Sequence, residues 1–300
     1  MVDRPGLEIV IEPAKEWSAT GPEAERGLEI ARVAARSLEE LGSSIRPARI
    51  VIERIPSAHV GLGVGTQLSL ALARGLTELS GMPNTPVSTL ARLTGRGLRS
   101  GIGIHGFAEG GLIVDAGRST RADVPTRLLG MPFPADWGVL LVIPESRQGL
   151  HGEAERRAFD ALPEMAAADS DQLCRLLLLG MLPAVLEHDI VAFGDAISTI
   201  QEIVGKNFAA VQGGRYASLD AESIVARLRD LGLRGAGQSS WGPTLYAFSD
   251  ISADERVRML ESLCRDPLFS RYSLVWTGAS TAGARTTLES ILAKSEDGLH

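Results

Sequence analysis

The chain alternates short runs of strand-like patterning with longer stretches of helical spacing. Residues 7–12 alternate apolar and charged positions, as a half-buried strand does. Thr20 with Glu23 forms a capping-box pattern, and Pro22 suits a first helical turn. The helix predicted there places Leu28, Ala31, Ala35, Leu38 and Leu41 on one face and stops at Gly42. Residues 49–55 predict a second strand. A glycine-rich loop at 61–65 then leads into an apolar helix over 66–79, closed by Gly81, and a short helix fits 88–93. Residues 95–111 are glycine-dense, which predicts backbone conformations closed to other residue types. A strand follows at 112–115.

Residues 118–136 contain three prolines and little periodicity. The domain boundary is placed there, dividing the chain into residues 1–130 and 131–300. Beyond it, 139–143 is a continuous apolar run fit for a buried strand. Residues 153–205 are mostly helical, with breaks expected near Pro163 and Pro183. A helix over 219–231, a loop at 235–243, a strand at 244–248, a helix over 253–264 and a strand at 272–276 complete the pattern. Strands and helices alternate without an internal repeat, which gives an α+β or α/β class.

Composition narrows the function. Of 300 residues, 44% are hydrophobic and 22% charged, enough for a sizeable core, and the net charge is −7. That balance argues against nucleic-acid binding, which calls for a basic face. It leaves room for a phosphate site built from local arginines and backbone N–H groups. Cys174 and Cys264 lie in helical patterns and are expected to be reduced packing residues. Neither has a Cys or His at ligand spacing, so no zinc site is expected. The apolar run 176–186, bounded by Arg175 and Glu187, is too short to span a bilayer and predicts a buried helix. Asp3, Arg4, Glu8, Glu12 and Pro13 interrupt any secretory pattern, so the expected location is cytoplasmic.

Three segments carry candidate chemistry. In the first, PSAHVGLGVGTQ at 56–67, glycines at alternate positions join a strand to a helix. Gly61, Gly63 and Gly65 let the backbone approach a ligand, the helix start favours an anion, and Thr66 and Gln67 add side-chain donors. No lysine follows the last glycine, so this is not a Walker loop. On the loop alone, a tight packing turn is an equally good reading. The second segment is GRGLRSGIGIHGFAEGGLIVDAG at 95–117. Arg96 and Arg99 are suited to forked recognition of an anionic substrate group. Ser100 and Gly101 are candidate phosphate contacts, and Glu109 and Asp115 are candidate catalytic carboxylates. His105 alone carries little weight. The third, GAGQSSWGPTLYAF at 235–248, offers Gly237, Ser239 and Ser240 to a phosphate, or forms a turn with Trp241 packed on Pro243. A weaker fourth, 149–159, holds His151 and Glu153, the latter better read as a helix-start residue.

Taken together, the three glycine-rich segments resemble the GHMP small-molecule kinases. Their finer match is to the β-ribofuranosylaminobenzene 5'-phosphate synthases of tetrahydromethanopterin biosynthesis. PSAHVGLGVGTQ resembles that family's Pro–His–GLGSGTQ segment, the second resembles GRG–SGIG–F–E–GG–IVD–GG, and GQSSWGPTLYA resembles the third motif. The resemblance runs from Leu7 to about Gly283. It implies a GHMP-type two-domain fold, with a ribosomal protein S5 domain 2-like N-terminal domain and a ferredoxin-like C-terminal domain. It also implies a reaction in which phosphoribosyl pyrophosphate and 4-aminobenzoate or 4-hydroxybenzoate give a C-riboside 5'-phosphate, CO2 and pyrophosphate. Mg2+ is the implied cofactor and a homodimer the implied assembly.

Two departures stand out. Val64 replaces a serine of the family's loop. The family's N-terminal strand with its Arg–x–His motif has no counterpart before residues 2–7. The resemblance therefore implies an open groove or unpaired strand edge near residues 5–13, facing residues 95–111. An ATP-dependent GHMP kinase is the alternative, although Ser100–Gly101 is followed by Ile102, Gly103 and Ile104, without the catalytic Asp of many such kinases. A non-catalytic ligand-binding relative is the third reading.

Overall fold

A computed structural model describes residues 1–117, 123–145 and 152–289. The first half contains β1 (Glu8–Pro13), β2 (Ser18–Thr20), α1 (Ala24–Glu40), β3 (Ala48–Arg54), α2 (Val64–Leu79), α3 (Val87–Leu93), α4 (Ile102–Glu109), β4 (Leu112–Asp115) and β5 (Arg127–Met131). The second contains β6 (Gly138–Pro144), α5 (Gly152–Asp160), α6 (Ala167–Leu176), α7 (Leu182–Leu186), α8 (Ile190–Gln212), α9 (Ala221–Asp230), β7 (Arg234–Gln238), β8 (Leu245–Ser249), α10 (Ala253–Arg265) and β9 (Tyr272–Thr277).

The strands form three sheets, ordered β1-β3-β2, β4-β5 and β7-β8-β6-β9. β3 is central in the first, antiparallel to β1 and parallel to β2. The four-stranded sheet is antiparallel throughout. β1 lies at a sheet edge. It packs on α2, where Ile11 occupies the space a side chain at Gly75 would need. Residues 1–3 run along a different surface: the Met1 ammonium donates to the Gly111 carbonyl at 2.7 Å, and Val2 bridges to Ala279.

Burial explains the patterns. The α1 stripe Ala31, Ala34 and Leu38 meets Ile50 and Ile52 of β3 and Leu68, Leu72 and Leu76 of α2 in one core. All seven residues of β6 are buried because both of its faces are covered. Leu140 and Val142 point to a core with Ile224 and Leu228 of α9. Val139, Leu141 and Ile143 point the other way, onto Val60 and Leu62 of the glycine-rich loop. A third cluster around Trp137 and Phe193 includes Leu112 and Met131, so apolar packing continues from β4 and β5 into α7 and α8.

Several expectations are corrected. Thr20 ends β2 instead of capping α1, whose N-cap is Glu23 in a left-handed conformation with no side-chain cap bond. The glycine-dense segment contains α4. The loop expected at 235–243 begins as strand β7. The breaks expected near Pro163 and Pro183 fall at residues 161–166 and 187–189; Pro183 itself lies within the helical run, where a π-turn over Leu177–Met181 precedes it and accommodates a residue without an N–H. The run 176–186 is half on the surface, with Leu178, Leu179 and Leu186 exposed. Cys174 and Cys264 are free, as expected, but exposed and not packed.

Candidate active site

The glycine-rich loop is held from below and from one side. Val60 and Leu62 alternate with the glycines and are anchored on β6. Between them Gly61 turns through φ 86°, a left-handed conformation that disfavours other residues. It also has no room for a side chain. A Cβ there would lie 2.6 Å from the Ser239 carbonyl oxygen and 2.8 Å from that of Gly242. Ser239 Oγ donates to the Gly61 carbonyl at 2.7 Å, and Thr244 N donates to Val60 O at 3.2 Å. The third segment thus buttresses the first.

Gly63, at φ 68°, is the N-cap of α2, and its carbonyl accepts from Thr66 N and Gln67 N. No atom lies within 4 Å of where its side chain would project. Two guanidinium groups converge on Gly65. A Cβ at Gly65 would lie 2.7 Å from Arg26 Nη2 and 3.6 Å from Arg96 Nη2. Arg96 Nε donates to Ser69 Oγ at 3.0 Å, and Ser69 Oγ donates to the Gly65 carbonyl at 2.8 Å. Arg26 is paired with Glu23 at 3.2 Å. Burial, and then the Arg26 charge, lower the pKa of Arg96, while Glu155 opposes the shift. An arginine remains protonated through such a shift, so the site carries two positive charges beside a helix N-terminus.

The second segment adjoins the first through α4. Gln67 Nε2 donates to Gly103 O at 2.8 Å, and a side chain at Gly103 would meet Thr66. Asp115 organises the start of α4. It accepts from Ser100 Oγ at 3.0 Å, Gly101 N at 2.7 Å and Gly117 N at 2.9 Å. Ser100 Oγ in turn accepts from Ile102 N. Arg99 reaches α5, donating to Glu155 at 3.0 Å, with its guanidinium 4.7 Å from the centre of the Phe159 ring.

The structure therefore gathers Gly61, Gly63, Gly65, Thr66, Gln67, Arg96 and Ser239 around the start of α2. Ser100, Gly101 and Asp115 are brought to the adjoining start of α4. Glu109 closes the opposite end of α4, about 10 Å away by helical rise, in an ion pair with Arg127. Gly237 lies in β7 where Gln201 of α8 crosses it. The Ser240 carbonyl accepts from Gln238 Nε2. His105 bonds the Pro125 carbonyl, and Glu153 pairs with Arg157 on the face of α5. His151 lies outside the described residues. Sequence reading missed Arg26, Glu155 and Ser69; only Ser69, a polar residue in an apolar run, left a local signal.

No group of three or more His, Cys, Asp or Glu positions among the described residues could hold a metal by itself. Glu23 and Glu155 are engaged by arginines, and Asp115 by Ser100 Oγ and two backbone N–H groups. This donor set does not form an all-protein cage. It fits a Mg2+ carried largely by substrate phosphates, the usual arrangement for that ion.

No protein-family model matches the chain. It is 36% identical to β-ribofuranosylphenol 5'-phosphate synthase of Archaeoglobus fulgidus over 267 residues, covering 84% of this chain and 79% of the relative. It is 36% identical to the protein of the same name from Methanothermobacter thermautotrophicus over 234 residues, covering 74% and 69%. The chain belongs to the β-ribofuranosylphenol 5'-phosphate synthase family. This agrees with the motif resemblance, and the relatives' name specifies a phenol where the motifs left aminobenzene and phenol open. The fold of this family member is that of the GHMP superfamily. Homoserine kinase from Cytophaga hutchinsonii superposes with a TM-score of 0.68 at 17% identity, covering 94% of this chain and 88% of the kinase. Mevalonate kinase from L. major superposes with a TM-score of 0.62 at 16% identity, covering 93% and 87%.

Proposed function

We propose that this enzyme transfers a phosphoribosyl group from phosphoribosyl pyrophosphate to 4-hydroxybenzoate. The products are 4-(β-ribofuranosyl)phenol 5'-phosphate, CO2 and pyrophosphate, formed in methanopterin biosynthesis. Family membership supplies the reaction. The structural observation that carries it is the electropositive start of α2, where Gly63 leaves open space and two arginines face Gly65.

In this reaction the ring carbon bearing the carboxylate attacks the anomeric carbon, and the C–O bond to pyrophosphate breaks. The ring–carboxylate bond then breaks, CO2 leaves, and its electron pair restores the aromatic ring. The para hydroxyl stabilises the intermediate by donating into the ring, so no separate electron sink is required. The protein's task is to hold a polyanion and let negative charge develop on the leaving group. N–H groups at the start of α2 and the nearby arginines suit that task. Mg2+, when bound, neutralises phosphate charge and sharpens the leaving group. Asp115 keeps Ser100 and the α4 N-terminus in place beside the loop. Among the candidate carboxylates, Asp115 lies at this end of α4 and Glu109 at the other.

The partners are small molecules, and a homodimer in the cytoplasm is the proposed state. No helix among the described residues is long and apolar enough to cross a membrane. Purified enzyme given phosphoribosyl pyrophosphate, Mg2+ and carboxyl-labelled 4-hydroxybenzoate should release labelled CO2, and 4-aminobenzoate should be the poorer acceptor. Formation of ADP from ATP with homoserine or mevalonate, and no CO2, would move the activity to the kinases.

A further inference from the structure

Gly65 is unlike the other glycines of the loop. It sits inside α2 without a positive φ, so its conformation does not call for glycine. Glycine within a helix is unfavourable relative to alanine. What glycine provides here is room. A side chain at this position would meet Arg26 Nη2 at 2.7 Å before anything else, with Arg96 Nη2 next at 3.6 Å.

Two arginines side by side repel each other in the absence of an anion. Here each is held in place all the same. Arg26 is tied to Glu23, the left-handed N-cap residue of α1, at 3.2 Å. Arg96 is tied from behind, its Nε donating to Ser69, which is fully buried. Among the described residues the Arg96 side chain makes no other hydrogen bond, so its terminal nitrogens remain available beside Gly65. Glu155, the carboxylate that acts on Arg96, is committed to Arg99 at 3.0 Å.

We propose that Arg26 and Arg96 grip one phosphoryl group of the donor over the first turn of α2, and that residue 65 is glycine so that Arg26 can reach it. This rests on the phosphoribosyl transfer reading and specifies which residues hold the donor. A phosphoryl group fits better than the acceptor's carboxylate. Its three oxygens give each guanidinium fork and the helix N-terminus an acceptor of its own, whereas a carboxylate offers only two oxygens. The donor offers this chemistry twice, in its pyrophosphate and in its 5'-phosphate.

The test is calorimetry on the intact chain with phosphoribosyl pyrophosphate, inorganic pyrophosphate and ribose 5-phosphate, each with Mg2+. Arg26→Gln and Arg96→Gln should weaken phosphoribosyl pyrophosphate, and the same one of the two fragments, by about 10- to 100-fold, the usual weight of a charge-assisted hydrogen bond. The fragment affected identifies the group gripped. Arg26→Lys should recover part of the loss, because it restores charge without the fork. Gly65→Ala should raise the thermal midpoint yet weaken the same ligand, and should add nothing to Arg26→Gln. A purely structural role for Arg26 would instead lower the thermal midpoint and leave ligand affinity alone. Arg26→Gln binding all three ligands as wild type does would overturn the clamp while leaving the activity intact. A wild-type protein that binds none of them and releases no CO2 would overturn the phosphoribosyl transfer reading itself.

Discussion

Gly61 and Gly63 make a matched pair of substitutions that separates anchoring the loop from binding on it. Both have positive φ, 86° and 68°. An alanine at either therefore bears the left-handed cost of about 1–2 kcal/mol. They differ in surroundings. A Cβ at Gly61 enters the space of two backbone oxygens, at 2.6 and 2.8 Å, and neither can swing aside as a side-chain tip would. Relief requires the loop to lift from the 239–242 turn, at an overpacking cost of about 1–3 kcal/mol. It also strains the 2.7 Å bond from Ser239 Oγ to the Gly61 carbonyl. Gly61→Ala should therefore lose about 2–5 kcal/mol of stability. At Gly63 nothing lies within 4 Å, so Gly63→Ala should lose only the backbone term, about 1–2 kcal/mol. Its methyl group, however, projects into the space offered to the ligand. Urea unfolding gives the stabilities, and calorimetry with phosphoribosyl pyrophosphate and Mg2+ gives the affinities. The expected result is a large stability loss with Gly61→Ala, and a larger loss of affinity than of stability with Gly63→Ala. If Gly63→Ala binds the donor as tightly as wild type, the open face of the loop is not where the polyanion sits.

Three further substitutions probe the surroundings. Asp115→Asn puts an amide donor where Ser100 Oγ, Gly101 N and Gly117 N all need acceptors; it should cost about 1–3 kcal/mol by urea unfolding and lower kcat/KM. Arg99→Lys loses the fork to Glu155 and the contact over Phe159; a raised KM for the donor is expected, and unchanged kinetics would confine Arg99 to tying down α5. Tyr246→Phe removes the partner of Gln201 Nε2 and should cost about 1–2 kcal/mol. Burial pushes the Tyr246 phenol well above its ordinary value of 10.0. A raised folded-state pKa leaves stability unaffected below that ordinary value and reduces it as pH rises beyond it, because the unfolded chain ionises first. Wild type should therefore lose stability above about pH 10, and Tyr246→Phe should flatten that slope; an unchanged alkaline limb would refute the attribution.

The parts of the fold that were legible are those whose patterning reflects burial alone. β1 alternates because one of its faces meets α2, and β6 is apolar throughout because both of its faces are covered. The elements that were missed contain residues chosen for a neighbour. α4 carries glycines, which oppose helix in isolation, yet Gly103 makes room for Thr66 and Gly106 for Met1. β7 has the glycine-rich composition of a loop, yet its glycines admit Ile197 and Gln201 of α8 at close range. β5 is a short strand in a proline-rich stretch and is held by pairing with β4, a long-range fact that local patterning does not carry. The capping box failed for the opposite reason. Its local signal was sound, but Thr20 is committed to a parallel pairing with Val51, and tertiary pairing outweighs a cap of about 1 kcal/mol.

The same distinction runs through the site. As a string, the glycines at 61, 63 and 65 look like one feature with one purpose, backbone access to a ligand. In three dimensions they answer three separate requirements. Gly61 has a left-handed φ and two carbonyl oxygens against it, so both conformation and space demand glycine, and the demand comes from the 239–242 turn. Gly63 has the left-handed φ with open space beyond it, so conformation alone demands glycine and the space is left for a ligand. Gly65 has a helical φ that alanine would satisfy better, so the demand comes only from the neighbour it admits, Arg26. That neighbour was invisible in the sequence because Arg26 looks like one more polar residue on the outward face of an amphipathic helix. Its significance arises where α1 packs against α2 and turns that position towards the loop. A glycine that is locally unfavourable and conformationally unnecessary is thus the most informative of the three, since only a tertiary partner accounts for it.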